Sequence, residues 1–419
     1  MVKSRFRKGA GLLGIAAVTT AVAALGGGIP SPVSADPIAK TAYVGVGSDT
    51  IQDVFNALSG AAPYSPGGGT VKGYDPIISS TASGNRGVVS WDAFDAATPA
   101  VTCITPKYNF GVIDRPNGSG DGQKALSRAI DGGLWTKGTG CSTTVGNATG
   151  AIDFARSSSG PNGSFPGTTL TFIPFARDGL SYAYVAHAGA DLSALTTAEL
   201  HSLFGTGNLA SSGTIPNFRS TGHAVFACMV QGGSGTGKFW DKAMGNAGDG
   251  ATSHASAVAG GCNASVDYEE NGYNTWSAST FVAGLSATQD AVIPFSVGSW
   301  ISQANGVAVD RSATGRSSGD KLGAVDGVAP TTGSAPTEAP NATYYASTTY
   351  GRDLYVVVAT SKVPSIGGDA GLKSLFRGAT SEICKAPAQA TINKFGFSSV
   401  TAKPCGTTGD ATLQSGLVS

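Results

Sequence analysis

Charged residues are scarce in this 419-residue chain, at 13% of the sequence, and neither sign is in excess, with 27 basic and 27 acidic residues. A protein that binds nucleic acid usually presents a basic surface, because it must displace counterions from phosphates. The composition therefore argues against a nucleic-acid partner. It also argues against a disordered chain, since 41% of the residues are hydrophobic.

Long hydrophobic runs are absent apart from one near the N-terminus, where residues 1–35 resemble a secretory signal peptide. Basic residues at positions 3, 5, 7 and 8 precede a stretch of small apolar residues, and Val33-Ser34-Ala35 fits a small-x-small cleavage site. Four of the 27 basic residues and none of the acidic ones lie in this segment, so the mature chain has a net charge near −4. No cysteine lies at the cleavage site. We therefore expect a secreted or extracytoplasmic protein without a lipid anchor.

Cysteine is also rare, with six residues, and no CxxC pair or Cys/His cluster has the spacing of metal ligands. We therefore expect no metal site, and no cofactor motif is evident. In an exported chain, six cysteines indicate disulfides. Sequence proximity favours the pairs Cys103–Cys141, Cys228–Cys262 and Cys384–Cys405, although fifteen pairings are possible.

The first structural unit of the mature chain is a strand that leads into a helix. The strand covers residues 42–46, and a Gly/Ser/Thr segment follows it. Ile51, Val54, Phe55 and Leu58 then have the i, i+3, i+4, i+7 spacing of one apolar helical face. Thr50-x-x-Asp53 resembles a capping box, with Asp in place of Glu.

Further units repeat this alternation of strands and helices. Thr196-x-x-Glu199 marks a helix start, and a third unit comprises a strand at 224–230, a glycine-rich loop and a helix at 238–244 that Gly245 closes. Other strand candidates are Leu170–Phe175, Ser181–Ala186, Ala291–Phe295 and Leu354–Ala359. About 384 mature residues are enough for two cores. The pattern predicts an α/β protein of two lobes with mixed, mainly parallel sheets.

Three Gly/Ser/Thr-rich segments have the composition of anion-binding loops: residues 45–50, 80–85 and 232–237. The first and third lie between a predicted strand and a predicted helix, where free N–H groups and the helix dipole attract an anion. Ordinary tight turns have a similar composition. The third segment nearly matches a P-loop, but Phe239 occupies the position of the metal-binding Ser or Thr, which argues against nucleotide hydrolysis.

In their order along the chain, these segments resemble type 2 periplasmic binding proteins, and most closely the phosphate-binding component of ABC transporters. The matching segments are residues 45–50, Ser83-Gly84, residues 153–158, residues 195–205 and residues 233–236. The resemblance implies two lobes joined by two hinge strands, near residues 172–182 and 352–358, with the ligand held between the lobes.

The resemblance also implies which residues contact the anion. The family's charged residues are absent here, since Ser158, Val230 and Gly232 occupy their positions. Arg156 or Arg86 could instead supply positive charge. The residues that we predict to bind the ligand are Ser48, Asp49, Thr50, Ser83, Gly84, Arg156, Ser157, Ser158, Ser234, Gly235 and Thr236. Alternative roles are a cap for Asp49 and a structural salt bridge for Arg156.

The expected function is capture of a phosphate-like oxyanion by a monomeric, non-enzymatic binding protein, for scavenging or for uptake with an ABC transporter permease. The expected division is a first lobe at 36–178 and 346–419, and a second lobe at 179–345 with an insertion near 311–343. Two alternatives remain open: a secreted hydrolase of phosphate esters or glycans, and a surface-assembly protein without a small ligand. For the hydrolase, the four histidines are scattered, and the acidic group Asp267, Glu269 and Glu270 is expected to be a solvated loop.

Overall fold

The computed structural model describes residues 41–60, 74–94, 102–138, 141, 149–187, 189–205, 214–246, 270, 272, 285–311 and 321–419. The predicted signal peptide lies outside these residues, and so does Cys262, the predicted partner of Cys228. Within this part of the chain, no helix is both long and apolar enough to cross a lipid bilayer.

Sixteen strands are present in the described residues. They are β1 Tyr43–Gly47, β2 Val88–Ser90, β3 Cys103–Ile104, β4 Ile113–Asp114, β5 Phe154–Ser157, β6 Leu170–Val185, β7 Ala194–Leu195, β8 Thr214–Ile215, β9 Ala224–Ala227, β10 Gln289–Ser296, β11 Lys321–Leu322, β12 Ala324–Val325, β13 Thr331–Thr332, β14 Ala339–Pro340, β15 Gly351–Ala359 and β16 Gln414–Ser415. The eight α-helices of the same residues are α1 Gln52–Leu58, α2 Ser119–Asp131, α3 Thr197–Phe204, α4 Gly235–Ala243, α5 Val297–Ala304, α6 Ala342–Tyr345, α7 Ala370–Phe376 and α8 Ala386–Lys394.

The main sheet is mixed, with the strand order β2-β1-β5-β15-β6-β10-β9-β8. Parallel pairing occurs at its flanks, where β1 pairs with β2 and β5, and β9 pairs with β10. The central strands β5, β15, β6 and β10 pair antiparallel. The predicted mixed α/β fold is thus confirmed, and within the main sheet the described strands pair parallel only toward the flanks. The reason is that β6 and β15 cross the sheet in opposite directions.

The 16-residue strand β6 belongs to two groups of strands. Its first ten residues pair with β15, and its last six pair with β10. One group, with β2, β1, β5, β15 and the start of β6, forms what we call the first lobe. The second lobe comprises the end of β6 with β10, β9 and β8. The strand candidates at 170–175 and 181–186 are therefore one continuous strand.

Each lobe has its own hydrophobic core. In the first lobe, one face of the sheet packs Phe55, Phe154 and Phe376 together, and the opposite face packs Leu126 and Trp135. In the second lobe, the core includes Tyr182, Leu203, Phe204, Trp240 and Ile293. The rings of Phe204 and Trp240 meet edge to face at 5.4 Å. Three contiguous apolar clusters thus stabilise the fold, because each removes a large apolar area from water.

Two ion pairs connect β6 to β15 where the chain passes between the lobes. Arg177 Nη1 lies 2.8 Å from Asp353 Oδ1, and Arg352 Nη2 lies 2.9 Å from Asp178 Oδ2. Asp178 also accepts hydrogen bonds from the Ser296 hydroxyl and from the Gly298 N–H at the start of α5. All four side chains of the two ion pairs are buried. The paired charges explain how a strand can contain Arg-Asp in its buried centre.

The local predictions have mixed outcomes. The four apolar residues of α1 are buried as predicted, and the capping box at Thr196 and Glu199 is present. The capping box at Thr50 is wrong: the N-cap of α1 is Ile51, without a side-chain bond, because the Thr50 hydroxyl is engaged elsewhere. Helix α4 begins at Gly235 and not at Lys238. The disulfides Cys103–Cys141 and Cys384–Cys405 are confirmed.

Candidate oxyanion site

The first loop of the site, Gly47–Thr50, follows β1 at its carboxyl end. Gly47 has a φ of +111°, and a Cβ atom there would lie 2.6 Å from the Arg156 carbonyl oxygen. Only glycine therefore fits this position. Asp49 caps the turn, since its Oδ1 accepts a hydrogen bond from the Thr50 N–H at 3.1 Å. The Ser48 hydroxyl is buried and has no hydrogen-bond partner among the described residues.

Arg156, on the neighbouring parallel strand β5, fixes this loop from behind. Its Nε donates to the Ser48 carbonyl at 3.2 Å, its Nη2 donates to the Gly47 carbonyl at 2.8 Å, and its Nη1 donates to the Ser90 hydroxyl. The side chain is fully buried, and this burial lowers the pKa of Arg156 to about 10. The guanidinium is therefore still charged at neutral pH, and it holds the backbone carbonyls of the loop.

The second loop of the site, Ser234–Thr236, begins α4. Ser234 is the N-cap of this nine-residue helix, and its hydroxyl accepts from the Gly237 N–H at 2.8 Å. Gln231 supports the preceding turn by accepting from the Gly233 N–H at 2.6 Å. The first turn of a helix carries N–H groups without intrahelical partners at the positive end of the helix dipole. Thr236 lies in this first turn.

Glu270 lies between the two loops and is 1% exposed. Its Oε2 accepts hydrogen bonds from the hydroxyls of Thr50 and of Thr236, the latter at 3.2 Å. The Ser158 hydroxyl and the Thr236 N–H make longer contacts with Oε2 and Oε1, each at 3.5 Å. The Thr50 and Thr236 hydroxyl oxygens are themselves 3.2 Å apart. A buried carboxylate thus occupies a cluster of hydroxyl and backbone donors contributed by both lobes.

A third side of the cluster is formed by the end of β5 and the start of α2. Ser119 Oγ accepts from the Ser158 N–H at 3.0 Å and lies 3.1 Å from Ser158 Oγ. Packing here is tight, because a Cβ at Gly235 would lie 2.2 Å from Ser119 Oγ and 2.5 Å from Ser158 Oγ. The lobes also meet where Ser299 Oγ on α5 donates to the Thr50 carbonyl at 3.3 Å.

The structure brings together only part of the predicted set. Thr50, Ser158 and Thr236 contact the Glu270 carboxylate, with Gly235 packed against Ser158 and with Ser48 and Asp49 in the same loop as Thr50. Ser234 acts as a helix cap, and Ser157 Oγ bonds to Gln123 Nε2 at 2.9 Å. Ser83 and Gly84 lie on a surface 3₁₀ helix, where Ser83 Oγ is 2.9 Å from Ser80 Oγ. Arg86 stacks its guanidinium on Tyr43 at 3.8 Å.

Sequence reasoning missed Glu270 and Ser119. The expectation that the acidic group is a solvated loop is wrong for Glu270, whose carboxylate is buried and hydrogen-bonded. Asp267 and Glu269 lie outside the described residues. One feature of the sequence does indicate a buried carboxylate. The predicted site has many hydroxyl donors, and Ser158 replaces an Asp that the family has at this position. Another acidic group could therefore accept hydrogen bonds from these hydroxyls. Ser119, the first residue of α2, gave no signal in the sequence.

The described histidines with carboxylate partners lie at the far end of the second-lobe sheet. His223 Nδ1 is 2.9 Å from Asp290 Oδ2, and His187 Nδ1 is 3.2 Å from Asp290 Oδ1. The Ser234 hydroxyl is engaged in capping α4. This arrangement gives Ser234 the role of a structural cap.

The structure is similar to solved structures of phosphate-binding proteins. An ABC-type phosphate transport receptor from Vibrio cholerae is 16% identical, with a TM-score of 0.45, and the match covers 85% of this chain and 99% of the receptor. A putative phosphate ABC transporter substrate-binding protein from Clostridium perfringens, solved with bound phosphate, is 13% identical, with a TM-score of 0.45 and coverages of 86% and 100%. No protein-family model and no curated sequence matches this chain.

Proposed function

We propose that this chain is an extracytoplasmic solute-binding protein that captures a small oxyanion, phosphate in the first instance, without chemical conversion. The observation that carries this proposal is the buried Glu270 carboxylate, which accepts from the Thr50 and Thr236 hydroxyls and faces the start of α4. A carboxylate is itself an oxyanion. The donors that hold it have the chemistry that a phosphate or sulfate ion requires.

The donors are well suited to bind an anion reversibly. They are neutral hydroxyl and N–H groups, and the helix dipole of α4 favours negative charge at this point. Their positions are fixed by Arg156 in the first loop and by the Ser234 cap in the second. Fixed donors spare an anion the entropy cost of ordering flexible side chains. Because the donors come from both lobes, a bound anion would hold the lobes together.

Isothermal titration of residues 36–419 with phosphate, sulfate and molybdate tests the proposal. At least one of these anions should bind. Because the Thr236 hydroxyl also donates to Glu270, its contribution is measured in a Glu270→Ala background, where Thr236→Val should weaken binding about 5- to 150-fold, the cost of about 1–3 kcal/mol for an unmet hydrogen bond. Ser202→Ala is the comparison variant and should leave the affinity unchanged, since the Ser202 hydroxyl lies on the surface of α3 and donates to the Ala198 carbonyl. We expect the protein to be a monomer in solution. If it serves uptake, it also needs an ABC transporter permease as a partner.

The proposal fails if oxyanions bind neither to the wild-type chain nor to a Glu270→Ala chain. The hydrolase alternative makes a different prediction. It requires turnover of a chromogenic phosphate ester that Ser234→Ala abolishes. Because the Ser234 hydroxyl caps α4, we expect no such turnover.

A further inference from the structure

We infer that Glu270 is an intramolecular competitor for the oxyanion site and so determines which anions this chain accepts, and how tightly. The inference rests on the proposed function, because it concerns the same donors. The Glu270 carboxylate is bound where a free anion would bind, and its hydrogen bonds engage the hydroxyls of Thr50, Thr236 and Ser158. These three hydroxyls are all in the predicted ligand-binding set.

The donors cannot serve Glu270 and a second anion at once. Each hydroxyl has one hydrogen to donate, and the Thr50 and Thr236 hydroxyls both direct theirs to Oε2 of Glu270. Two negative charges at contact distance in a buried site also repel each other strongly, because the protein interior screens them poorly. An ionised ligand therefore gains these donors only when the carboxylate gives them up.

The packing around the site also indicates that Glu270 and a second anion cannot use these donors together. The hydroxyls of Ser119 and Ser158 leave no room for one additional carbon atom at Gly235. Thr50 and Thr236 are in direct contact across the lobes, with 3.2 Å between their hydroxyl oxygens. Among the described residues, an anion that accepts from both threonine hydroxyls therefore takes the position of the Glu270 carboxylate.

The competition favours the tethered group. A group held on the same chain acts at an effective concentration in the millimolar range or above, and no translational freedom is lost when it binds. Free phosphate at micromolar concentration must displace it. We expect Glu270 to weaken anion binding by about tenfold or more, and to select for anions that engage more donors than a carboxylate does.

Titration of the wild-type and Glu270→Ala chains with phosphate tests this inference. Glu270→Ala should bind phosphate at least about tenfold more tightly. Glu382→Ala, which removes a surface carboxylate that pairs with Lys385, should not change the affinity. Glu270→Gln retains the shape of the side chain and removes its charge, so it should also bind more tightly. It serves as the second variant if the alanine chain does not fold.

Chemical rescue supplies an independent readout. Acetate reproduces the missing carboxylate, so millimolar acetate should raise the melting temperature of Glu270→Ala and leave the wild type unchanged. Affinity that is equal or weaker in both Glu270 variants overturns the inference and makes Glu270 a ligand contact or a bystander, while the proposed function stands. If phosphate, sulfate and molybdate bind neither to the wild type nor to either variant, the proposed function fails as well.

Discussion

The two loops that hold Glu270 are alike in composition and different in how they are supported. Each places one threonine hydroxyl on the carboxylate: Thr50 in the first loop and Thr236 in the second. The first loop is held from behind by the buried charge of Arg156, with Asp92 close by. The second is held by neutral hydrogen bonds that the Ser234 and Gln231 side chains accept from backbone N–H groups. Two loops of similar sequence therefore each position a threonine hydroxyl, but a buried charge supports one loop and neutral hydrogen bonds support the other.

This difference indicates where each loop is vulnerable. A loop supported by buried charge depends on that charge being retained, because the carbonyls and carboxylates around it were desolvated in its presence. A loop supported by a helix cap depends on close packing of small residues. Substitutions in each loop therefore separate the two kinds of support.

The largest effect is expected for Arg156→Met. The substitution retains much of the volume but removes the donors to the Gly47 and Ser48 carbonyls, and it removes one of the two positive charges that favour the ionised form of Asp92, the other being Arg311. We expect a loss of about 3–5 kcal/mol in the free energy of unfolding, measured by urea denaturation. Lys385→Met removes an exposed cation and should cost less than about 1 kcal/mol. Equal losses in the two variants would contradict a special role for Arg156.

The second effect concerns pH. Burial, with a contribution from Asp53, raises the pKa of Asp92 to about 6. The folded state therefore binds this proton more tightly than the unfolded state. Protonation of Asp92 therefore stabilises the folded state fully below about pH 4, and this stabilisation is lost as the pH rises through about 6.

Asp92→Asn removes this titration and can still accept a hydrogen bond from Asn56. The difference in unfolding free energy, Asn variant minus wild type, should therefore rise between about pH 4 and 6, by about 3 kcal/mol. Urea denaturation of both chains across pH 3.5–7.5 measures it. Asp131→Asn, at a helix end on the surface, is the control. Parallel pH profiles for wild type and Asp92→Asn would refute the assignment.

The smallest effect is expected in the second loop. Gly235→Val would force its Cβ against the Ser119 and Ser158 hydroxyls, so we expect a loss of about 1–3 kcal/mol from overpacking. The matched control is Gly232→Ala in the same glycine-rich segment, where a Cβ would meet no atom within 4 Å. That variant should unfold within about 0.5 kcal/mol of the wild type. A Gly235→Val chain of wild-type stability would show that the second loop tolerates expansion.

Local features of the fold could be predicted from the sequence because they depend on neighbours along the chain. The apolar face of α1 and the capping box of α3 are set by residues three and four positions apart. The continuity of β6 was harder to predict, because Arg177 and Asp178 interrupt its apolar pattern. Their partners, Asp353 and Arg352, are more than 170 residues away in the sequence.

The candidate site shows the same limit more strongly. Its glycine and hydroxyl loops have a sequence signature, and the prediction that Thr50 and Thr236 bind the ligand rests on it. That signature does not distinguish them from the loop at Ser83, which has the same composition and lies on the surface. Glu270 is 220 residues from Thr50, and nothing in the charge pattern around it encodes its burial. Only tertiary contacts distinguish the three loops and select the carboxylate.

The two ion pairs between β6 and β15 lie where the chain passes from one lobe to the other. The chain leaves the first lobe along β6 and returns along β15, and the two crossings adjoin, since the Leu180 N–H donates to the Tyr350 carbonyl at 2.7 Å. The intervening segment therefore begins and ends at almost the same point in space. During evolution, such a segment can be inserted or exchanged as one domain, because its two ends lie side by side and are held there by the two ion pairs.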